Sequence, residues 1–309
     1  MMTAEKHKWE IIVIGGGPAG LTAAIYGGRA GHSVLVLEQM RFGGEITSTD
    51  WVENYPGFPE GIGGVAYAEL LEQQARKFGA LLQFDILEKV DFQDHTKKVW
   101  ATEGEFEASQ IIIATGTEPR KLGVQGEEEF QGRGISYCAT CDAGFFRDKE
   151  VAVIGGGDVA VEEALFMTRF ARKVYLIHRR NRLRAAQSLQ DKLFSQEGIE
   201  IFWDTELQEI KGEKKLGSLM LKHKEEGLFE LPVSGAFMAV GRRPQTQLFA
   251  DQIELDQNGF IVTDENMCTS LNGVLAAGDV RQKLLRQLVT AAADGAIAAH
   301  VASRELQDF

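Results

Sequence analysis

The stretch WEIIVIGGGPAGLTAAIYGGRAGHSVLVLEQ, residues 9–39, decides the fold of this chain. It opens with an apolar strand at residues 11–14, passes through a glycine-rich turn and continues as a helical segment that ends near Gly31. A second apolar strand, residues 34–37, then leads to Glu38. Strand, glycine turn, helix and strand in this order predict a βαβ unit that binds a dinucleotide.

Three glycines and one acid give this unit its chemistry. Gly15 allows the tight turn, Gly17 lets the backbone approach a pyrophosphate, and Gly20 permits close packing of the helix on the sheet. The phosphates then lie at the positive end of the helix. Glu38 is placed to accept hydrogen bonds from the adenosine ribose hydroxyls. The alternative is an incidental glycine-rich turn, but the position of the glycines between strand and helix, with an acid after the second strand, favours a dinucleotide-binding turn.

The same pattern returns in KEVAVIGGGDVAVEEALFMTRFARKVYLIHRRNRLRA, residues 149–185. A strand is followed by Gly155 and Gly157, with Ala160 in the third small position, and then by a helix and a second strand at residues 174–177. The chain therefore contains a second βαβ unit of the dinucleotide-binding type.

The second unit ends differently from the first. Where the first has Glu38, the second has His178, Arg179 and Arg180, with Arg184 a few residues later. A carboxylate would repel a 2′-phosphate, whereas guanidinium groups bind it through charge-assisted bidentate hydrogen bonds. The alternative for an isolated basic run is a solvated helix start, but its register at the end of a strand favours phosphate binding. The sequence therefore predicts NADPH rather than NADH.

A third feature lies in TSLNGVLAAGDVRQKLLRQLVTAAADGAIAAHVA, residues 269–302. A short strand ends in Gly278 and Asp279, and we predict that a helix carrying Arg286 and Gln287 follows, rich in small residues that suit close packing against a cofactor or another helix. From the residues alone, an ordinary strand-to-helix cap and a nucleotide contact are equally acceptable readings of this turn.

Two similar crossings, ATGTEP at residues 114–119 and AVGRRPQT at residues 239–246, bound an insertion. We predict a discontinuous first domain at 1–117 and 246–309 and an inserted domain at 118–245, with the crossings as a hinge. The stretches KKVWATEGEFEA at 97–108 and GSLMLKHKEEGLFELPVSGAFMAVG at 217–241 are typical of antiparallel strands.

The composition excludes several classes of protein. The 309 residues are 44% apolar and carry a formal net charge of −12, which opposes binding to nucleic-acid phosphates or anionic membranes. Residues 1–17 show no secretory signal, and no apolar run approaches the roughly 20 residues that cross a membrane. We expect a cytoplasmic protein whose partners are proteins and small molecules, with no nucleic acid and no membrane.

Cys138 and Cys141, in YCATCDAGFF at residues 137–146, allow three interpretations. Zinc needs about four ligands, and neither Cys268 nor the six His residues offer a paired spacing. A structural disulfide across so short a loop constrains the unfolded chain by only about 2 kcal/mol, and the cytosol tends to reduce it. A redox dithiol, in which one thiolate attacks a disulfide and the other resolves it, fits best beside two dinucleotide units.

Two neighbouring questions concern Asp142 and Cys268. The Asp142 carboxylate follows the dithiol directly and can accept and return the proton that moves when sulfur alternates between thiol and thiolate. It can also cap a helix or turn, and both roles are compatible. Cys268 has no neighbouring thiol, and we expect it to be a small buried apolar residue.

In the order and spacing of its motifs the chain resembles the low-molecular-weight, bacterial-type thioredoxin reductases, which are NADPH- and FAD-dependent disulfide reductases. The motifs that carry this resemblance are GGGPAG at 15–20, GGEITSTDWVENYPGF at 43–58, ATG at 114–116, CATCD at 138–142, GGGDVAVEEA at 155–164, HRRNRLRA at 178–185 and AAGDVRQKLLRQ at 276–287. The resemblance implies an α/β fold with two Rossmann-like dinucleotide-binding domains, each a parallel sheet with helices and a smaller antiparallel layer. The NADPH domain is inserted in the FAD domain.

The resemblance also implies site residues, a partner and a mechanism. The FAD contacts would come from Gly15, Gly17, Pro18, Ala19, Gly20, Glu38, Gly44, Glu45, Asn54, Gly116, Gly278, Asp279, Arg286 and Gln287. The NADPH contacts would come from Gly155, Gly157, Asp158, Ala160, His178, Arg179, Arg180 and Arg184. Electrons would pass from NADPH through FAD to the Cys138–Cys141 disulfide and on to thioredoxin. Cys141 would face the flavin, Cys138 would attack the partner, and Asp142 would be acid and base, in a homodimer.

Alternatives keep the flavin and dithiol but change the donor or partner. They are a ferredoxin-fed reductase, a reductase for a peroxiredoxin-type partner, and an oxidase of small dithiols; a non-catalytic redox sensor is a further class. Some ferredoxin-fed relatives have lost the pyridine-nucleotide motif, which is intact here. One local departure is Ala143 before Gly144, where many relatives have Gly directly after the Asp.

Overall fold

A computed structural model of the chain describes residues 8–49, 51–52 and 54–307. Residues 1–7, on which part of the expectation about a secretory signal falls, lie outside the described residues. The chain divides into two compact units. The first unit contains the described residues up to Glu118 and from Arg243 onward, and the second is the continuous segment Pro119–Arg242.

The elements follow one another in chain order with short connections. The strands are β1 (Lys8–Ile14), β2 (Val34–Glu38), β3 (Leu81–Phe84), β4 (Leu87–Asp91), β5 (Lys97–Ala101), β6 (Gly104–Ile113), β7 (Thr117–Pro119), β8 (Ile135–Ser136), β9 (Glu150–Gly155), β10 (Lys173–Ile177), β11 (Ile199–Phe202), β12 (Thr205–Gly212), β13 (Leu216–His223), β14 (Gly227–Pro232), β15 (Gly235–Ala239), β16 (Arg242–Pro244) and β17 (Val274–Ala276). The helices are α1 (Pro18–Arg29), α2 (Gly64–Lys77), α3 (Ala139–Asp142), α4 (Asp158–Met167), α5 (Gln187–Ser195) and α6 (Leu288–Gln307). Short 3-10 turns lie at Gly44–Ser48, Ala143–Phe146 and Gly278–Val280.

The first unit is built on a sheet in the order β3-β2-β1-β6-β5-β4. Strands β3, β2, β1 and β6 are parallel, and β17 adds in parallel to the second half of β6. The predicted hairpin at residues 97–108 is the antiparallel β5–β6 pair. Strands β1 and β2 are buried on both faces, which explains their continuous apolar runs.

Helices α1 and α6 pack together on one face of this sheet. A Cβ added to Gly295 of α6 would overlap the carbonyl oxygen of Ala19 in α1, so the two backbones approach very closely. The small residues predicted after Asp279 therefore serve, at this point, the contact between two helices. On the other face, Phe92 and Phe249 stack with ring centroids 6.1 Å apart over the apolar side chains of β1 and β2.

The second unit has a parallel sheet in the order β11-β10-β9-β15-β8. Helices α4 and α5 cover one face, and a three-stranded antiparallel sheet β12-β13-β14 covers the other. The prediction of an α/β fold with two parallel sheets, helices and smaller antiparallel layers is confirmed.

One part of the strand prediction is wrong. The stretch 217–241 contains the antiparallel pair β13–β14, but its last strand, β15, pairs in parallel with β9 and β8. The reason is burial, because β15 lies between two strands and is covered on both faces, with Phe237 fully buried. A continuous apolar run such as GAFMA is typical of a parallel strand in this position.

The chain crosses between the units at Glu118–Pro119 and Arg242–Arg243. The two crossing segments, β7 and β16, form a two-stranded sheet. Within the described ranges, no helix combines the length and the apolar character that a membrane crossing requires.

Candidate active site

The turn after β1 has the geometry that its glycines predict. Gly15 has a φ of +107°, in the region that favours glycine, and a Cβ on Gly20 would overlap the carbonyl oxygen of Gly15. Gly17 is the N-cap of α1, with Pro18 at the first helical position. A Cβ on Gly17 would meet no atom within 4 Å. The amide end of α1 therefore opens onto a space that a pyrophosphate can fill.

Glu38, at the end of β2, is tied to this turn by its carboxylate. Oε2 accepts a hydrogen bond of 2.7 Å from the amide of Gly16, and Oε1 accepts one of 2.9 Å from the amide of Met40. These bonds fix the carboxylate beside the glycine turn. Gly44 lies against the same turn, because a Cβ there would be 3.2 Å from the Cα of Gly17. Glu45 follows Gly44 in the 3-10 turn Gly44–Ser48.

The C-terminal part of the first unit adds residues at the same edge of the sheet. Gly278 has a φ of +82°, and a Cβ there would lie 2.8 Å from the Cβ of Ala19. The Nε of Arg286 donates to the carbonyl oxygen of Asp279 at 3.4 Å, and Asn54 donates to the side-chain oxygen of Gln287 at 3.1 Å. Gly278 thus lies against the start of α1, and hydrogen bonds link Arg286 to the turn at Asp279 and Gln287 to Asn54.

Arg286 and Gln287 differ from their prediction in one respect, since both precede α6 instead of lying in it. The reason is local capping: the hydroxyl of Thr290 accepts from the amide of Gln287 at 3.2 Å, which satisfies a donor at the helix start. The Arg286 guanidinium lies 4.0 Å from the ring centroid of Phe260. Gly116, after β6, has a φ of +68° and open space at its Cβ position.

Sequence reasoning missed Asp294, a buried carboxylate on α6. Its oxygens accept hydrogen bonds from Arg281 Nε at 2.9 Å, Lys283 Nζ at 2.7 Å and the amide of Gly278 at 3.1 Å. Burial alone would raise the pKa of Asp294, but the hydrogen bonds and charges of Arg281 and Lys283 outweigh it and lower the pKa. The Asp294 carboxylate therefore holds the Gly278 turn against α6.

Replacing Asp294 by Asn is expected to destabilise the protein by about 3–5 kcal/mol at pH 7, because two largely buried cations would lose their shared carboxylate. A lowered pKa in the folded state gives stability that is present above the unfolded pKa and is lost as the pH falls through the folded pKa. The difference between wild type and variant should therefore shrink below about pH 4. Urea unfolding measures it, with the exposed Asp251→Asn as control.

The second unit repeats the close packing of the glycine turn, although Gly155 lacks the positive φ of Gly15. A Cβ on Gly155 would overlap the Ala239 carbonyl oxygen and lie 2.6 Å from the Cβ of Ala160, so the two small residues pack together. Gly157 is the N-cap of α4, and its Cβ position is open. Asp158 accepts a hydrogen bond of 2.7 Å from the amide of Ala186 and so ties the loop after β10 to the start of α4.

The basic loop after β10 separates into a buried and an exposed part. His178 is buried, its Nε2 lies 3.0 Å from the carbonyl oxygen of Arg182, and its ring fills the space in front of Gly156. Burial lowers the pKa of His178, and the nearby Arg184 and Arg180 lower it further. Arg179, Arg180 and Arg184 are exposed. The exposed arginines can therefore contact a phosphate, whereas the buried His178 ring fixes the conformation of the loop that carries them.

Cys138 and Cys141 form a disulfide with a Cα–Cα distance of 5.3 Å, within the usual range. Cys138 precedes the one-turn helix α3 and its amide donates to the Ser136 hydroxyl at 3.0 Å, while the amide of Asp142 donates to the carbonyl oxygen of Cys138 at 3.2 Å. Both cysteines are half-buried, so the bond is reachable from outside. Ala143 has ordinary helical angles, φ −54° and ψ −35°, so no glycine is needed there.

Glu163 of α4 is a second residue that sequence reasoning missed. Its Oε1 accepts a hydrogen bond of 3.3 Å from the amide of Ala139, which lies between the two cysteines. Burial raises the pKa of Glu163 to about 7, although the Ala139 amide and Arg242 act in the opposite direction. Only contacts across the fold reveal this residue, because Ala139 and Glu163 are far apart in the sequence.

Cys268 is partly buried and is not joined to another cysteine. Burial raises the pKa of its thiol, with Asp264 and Glu305 adding to the effect. Among the residues that the structure describes, no three His, Cys, Asp or Glu side chains are grouped so that they could hold a metal ion.

Residues 9–295 match the pyridine nucleotide-disulphide oxidoreductase family, and the chain belongs to this family. It is similar to a protein named thioredoxin reductase from Peptoclostridium litorale, with 47% identity over 98% of this chain and 99% of the relative. A thioredoxin reductase from Listeria innocua is 45% identical over 100% of this chain and 97% of the relative. The crystal structure of thioredoxin reductase from Streptococcus pyogenes has 40% identity and a TM-score of 0.92, covering 99% of this chain and 100% of that one.

Proposed function

We propose that the chain is an NADPH-dependent flavoprotein that reduces the disulfide of thioredoxin. The observation that carries the proposal is the half-buried Cys138–Cys141 disulfide, with Asp142 directly after it, in a unit that also contains a dinucleotide-type βαβ turn. Full-length similarity to proteins named thioredoxin reductase supports the same partner. By the same likeness we propose a homodimer located in the cytoplasm.

In this proposal the first unit holds FAD and the second holds NADPH. The open Cβ position of Gly17, the anchored Glu38 and the converging Asp279, Arg286 and Gln287 fit an extended FAD in the first unit. The open Gly157 and the exposed arginines after β10 fit NADPH in the second. When bound, FAD would supply the two-electron chemistry that links NADPH oxidation to the reduction of a disulfide.

The proposed roles of the dithiol residues follow from their chemistry. Cys141 receives electrons from the flavin side, and the Cys138 thiolate attacks the disulfide of thioredoxin to give a mixed disulfide, which Cys141 then resolves. Asp142 gives and takes the protons that these thiol and thiolate changes require. The crossings β7 and β16 are the proposed hinge that lets the second unit present its nicotinamide site and its dithiol in turn.

The double change Arg179→Ala and Arg180→Ala is expected to lower the NADPH to NADH ratio of kcat/KM by at least about 100-fold. Two exposed guanidinium groups would be lost from the proposed 2′-phosphate site, and charge-assisted hydrogen bonds of this kind contribute about 1.5–3 kcal/mol each. Steady-state kinetics with both nucleotides measure the ratio. Arg172→Ala, an exposed arginine at the opposite end of β10, is the control, and an unchanged ratio in the double variant would contradict the assignment.

The experiment that tests the function is an anaerobic NADPH titration of the purified protein, followed through flavin absorbance before and after adding oxidised thioredoxin. Bleaching by NADPH and recovery on adding thioredoxin are expected. Bleaching without recovery would indicate another disulfide partner. A lack of bleaching would reject NADPH as the donor and favour ferredoxin or a small dithiol.

A further inference from the structure

Glu163 links the helix that begins at the nucleotide-type turn of the second unit to the turn that carries the dithiol. It projects from α4, the helix whose N-cap is Gly157, and its Oε1 holds the backbone of the dithiol turn through the amide of Ala139. Ala139 is completely buried, so the hydrogen bond is shielded from water. Among the described residues, the second oxygen, Oε2, is buried and has no hydrogen-bond partner. A buried carboxylate with only one of its two oxygens hydrogen-bonded has an unfavourable free energy when it is ionised.

The surroundings of Glu163 offer little compensation for a negative charge. Strands β9, β10 and β15 face α4 with apolar side chains, such as Val153 and Phe237. From α5, Leu193 packs inward while the charged Asp191 and Lys192 are exposed.

Of the charges on the segments around Glu163, that of Arg242 acts on its pKa. Arg242 attracts the carboxylate, and α3, which packs against α4, brings the acid Asp142 together with the redox pair. Burial outweighs Arg242, so the pKa of Glu163 lies near 7 while the cysteines are joined. Near neutral pH this carboxyl is therefore able to gain a proton in response to a small change of charge.

We propose that Glu163 is a positioning residue of the dithiol turn that takes up one proton when the Cys138–Cys141 disulfide is reduced. This role rests on the proposed function, in which the reduced flavin supplies two electrons. The two electrons break the S–S bond and leave negative charge on sulfur. One proton gives a thiol and a thiolate, and the second proton goes to the Glu163 carboxylate, so electrons and protons balance.

The physical reason for the uptake is repulsion between like charges. A thiolate formed on either side of Ala139 raises the pKa of the carboxylate bound to the Ala139 amide, since the negative charge on sulfur repels that of the buried carboxylate. Reduction therefore favours protonation of Glu163, and protonation favours reduction by the same factor. Glu163 takes up this proton above pH 7, where the carboxyl is ionised in the oxidised protein and protonated in the reduced one.

Glu163→Gln tests the role, because glutamine keeps an acceptor for the Ala139 amide but cannot take up a proton. The full-length oxidised protein is equilibrated with dithiothreitol redox buffers between pH 6 and pH 9, and reduced Cys138 and Cys141 are counted by thiol trapping and mass spectrometry. Above pH 7 the dithiol to disulfide ratio of the wild type should depend on pH more steeply than that of the variant. The difference should approach tenfold per pH unit, equivalent to about 30 mV for a two-electron couple.

The control is Glu206→Gln, an exposed carboxylate on β12 of the same unit, which should follow the wild type. Parallel pH profiles for wild type and Glu163→Gln would overturn the role while leaving the reductase proposal intact. A disulfide that no buffer reduces would instead reject the proposed function and this role with it.

A second measurement does not depend on whether Glu163→Gln folds. Reduced-minus-oxidised infrared difference spectra of the wild type and of Asp142→Asn at pH 8 should both gain a protonated-carboxyl band. Absence of that band from the wild type would overturn the proposal, as would its disappearance in Asp142→Asn, which would assign the proton to Asp142.

Discussion

Cys141→Ser is expected to lower kcat for the NADPH-dependent reduction of thioredoxin by at least about 1,000-fold. A single sulfur cannot store two electrons as a dithiol, and Cys138 alone cannot resolve a mixed disulfide. Cys138→Ser should lose activity to a similar extent, since residues that act as one unit are not additive. Coupled assays with NADPH and oxidised thioredoxin measure both variants, and Cys268→Ser, which changes a cysteine outside the disulfide, should keep full activity.

The same variants separate a redox disulfide from a structural staple. The loop closed by Cys138 and Cys141 is short, so its loss removes only about 2 kcal/mol from the stability of the oxidised protein. The free energy of unfolding in urea should therefore fall by no more than about 2 kcal/mol while turnover disappears. A variant that is less stable but still reduces thioredoxin would contradict electron transfer through the Cys138–Cys141 pair and would favour a structural disulfide.

Gly17→Val is expected to weaken FAD binding by at least about 100-fold, equivalent to about 3 kcal/mol. Gly17 has extended backbone angles that valine adopts readily, and a Cβ meets no protein atom within 4 Å. The folded protein should therefore lose only about 1 kcal/mol, from a poorer helix cap. In the proposed complex, however, the branched side chain would occupy the place of a phosphate. The purified protein should therefore be colourless. The ratio of flavin absorbance to protein absorbance measures the loss of FAD.

The matched variant is Gly157→Val in the second unit, where the cap geometry and the open Cβ position are the same. It should remain yellow, with the KM for NADPH raised at least tenfold. The opposite result, a colourless Gly157→Val and a yellow Gly17→Val, would indicate that FAD binds to the second unit and NADPH to the first. Because both substitutions are chemically identical, a general effect of valine on folding cannot produce such a difference.

Much of this architecture could be predicted because it is encoded locally. The βαβ turns at Gly15 and Gly155 are indicated by local glycine spacing, and in the structure each leads from a parallel strand into a helix with a glycine N-cap. The antiparallel hairpin of β5 and β6 follows from alternation over a few residues. Strand β15 was misassigned because its direction depends on β8 and β9, which lie far away in the sequence.

The missed residues share a different cause. Glu163 and Asp294 look like ordinary acids on helices, and their importance comes from burial and from partners on other elements. His178 belongs to a basic run in the sequence, yet its ring is enclosed beneath Gly156. A motif can show which residue types meet a ligand, but it does not show which of them the surrounding fold leaves exposed.

The nested arrangement of the units has an evolutionary consequence. The segment Pro119–Arg242 is continuous, and both of its ends lie in the ribbon formed by β7 and β16. Two recombination breakpoints in that ribbon would transfer the whole segment between related genes without cutting either core. In the proposed assignment, the choice of electron donor and the dithiol would then be inherited together, while the flavin platform of the host stayed unchanged.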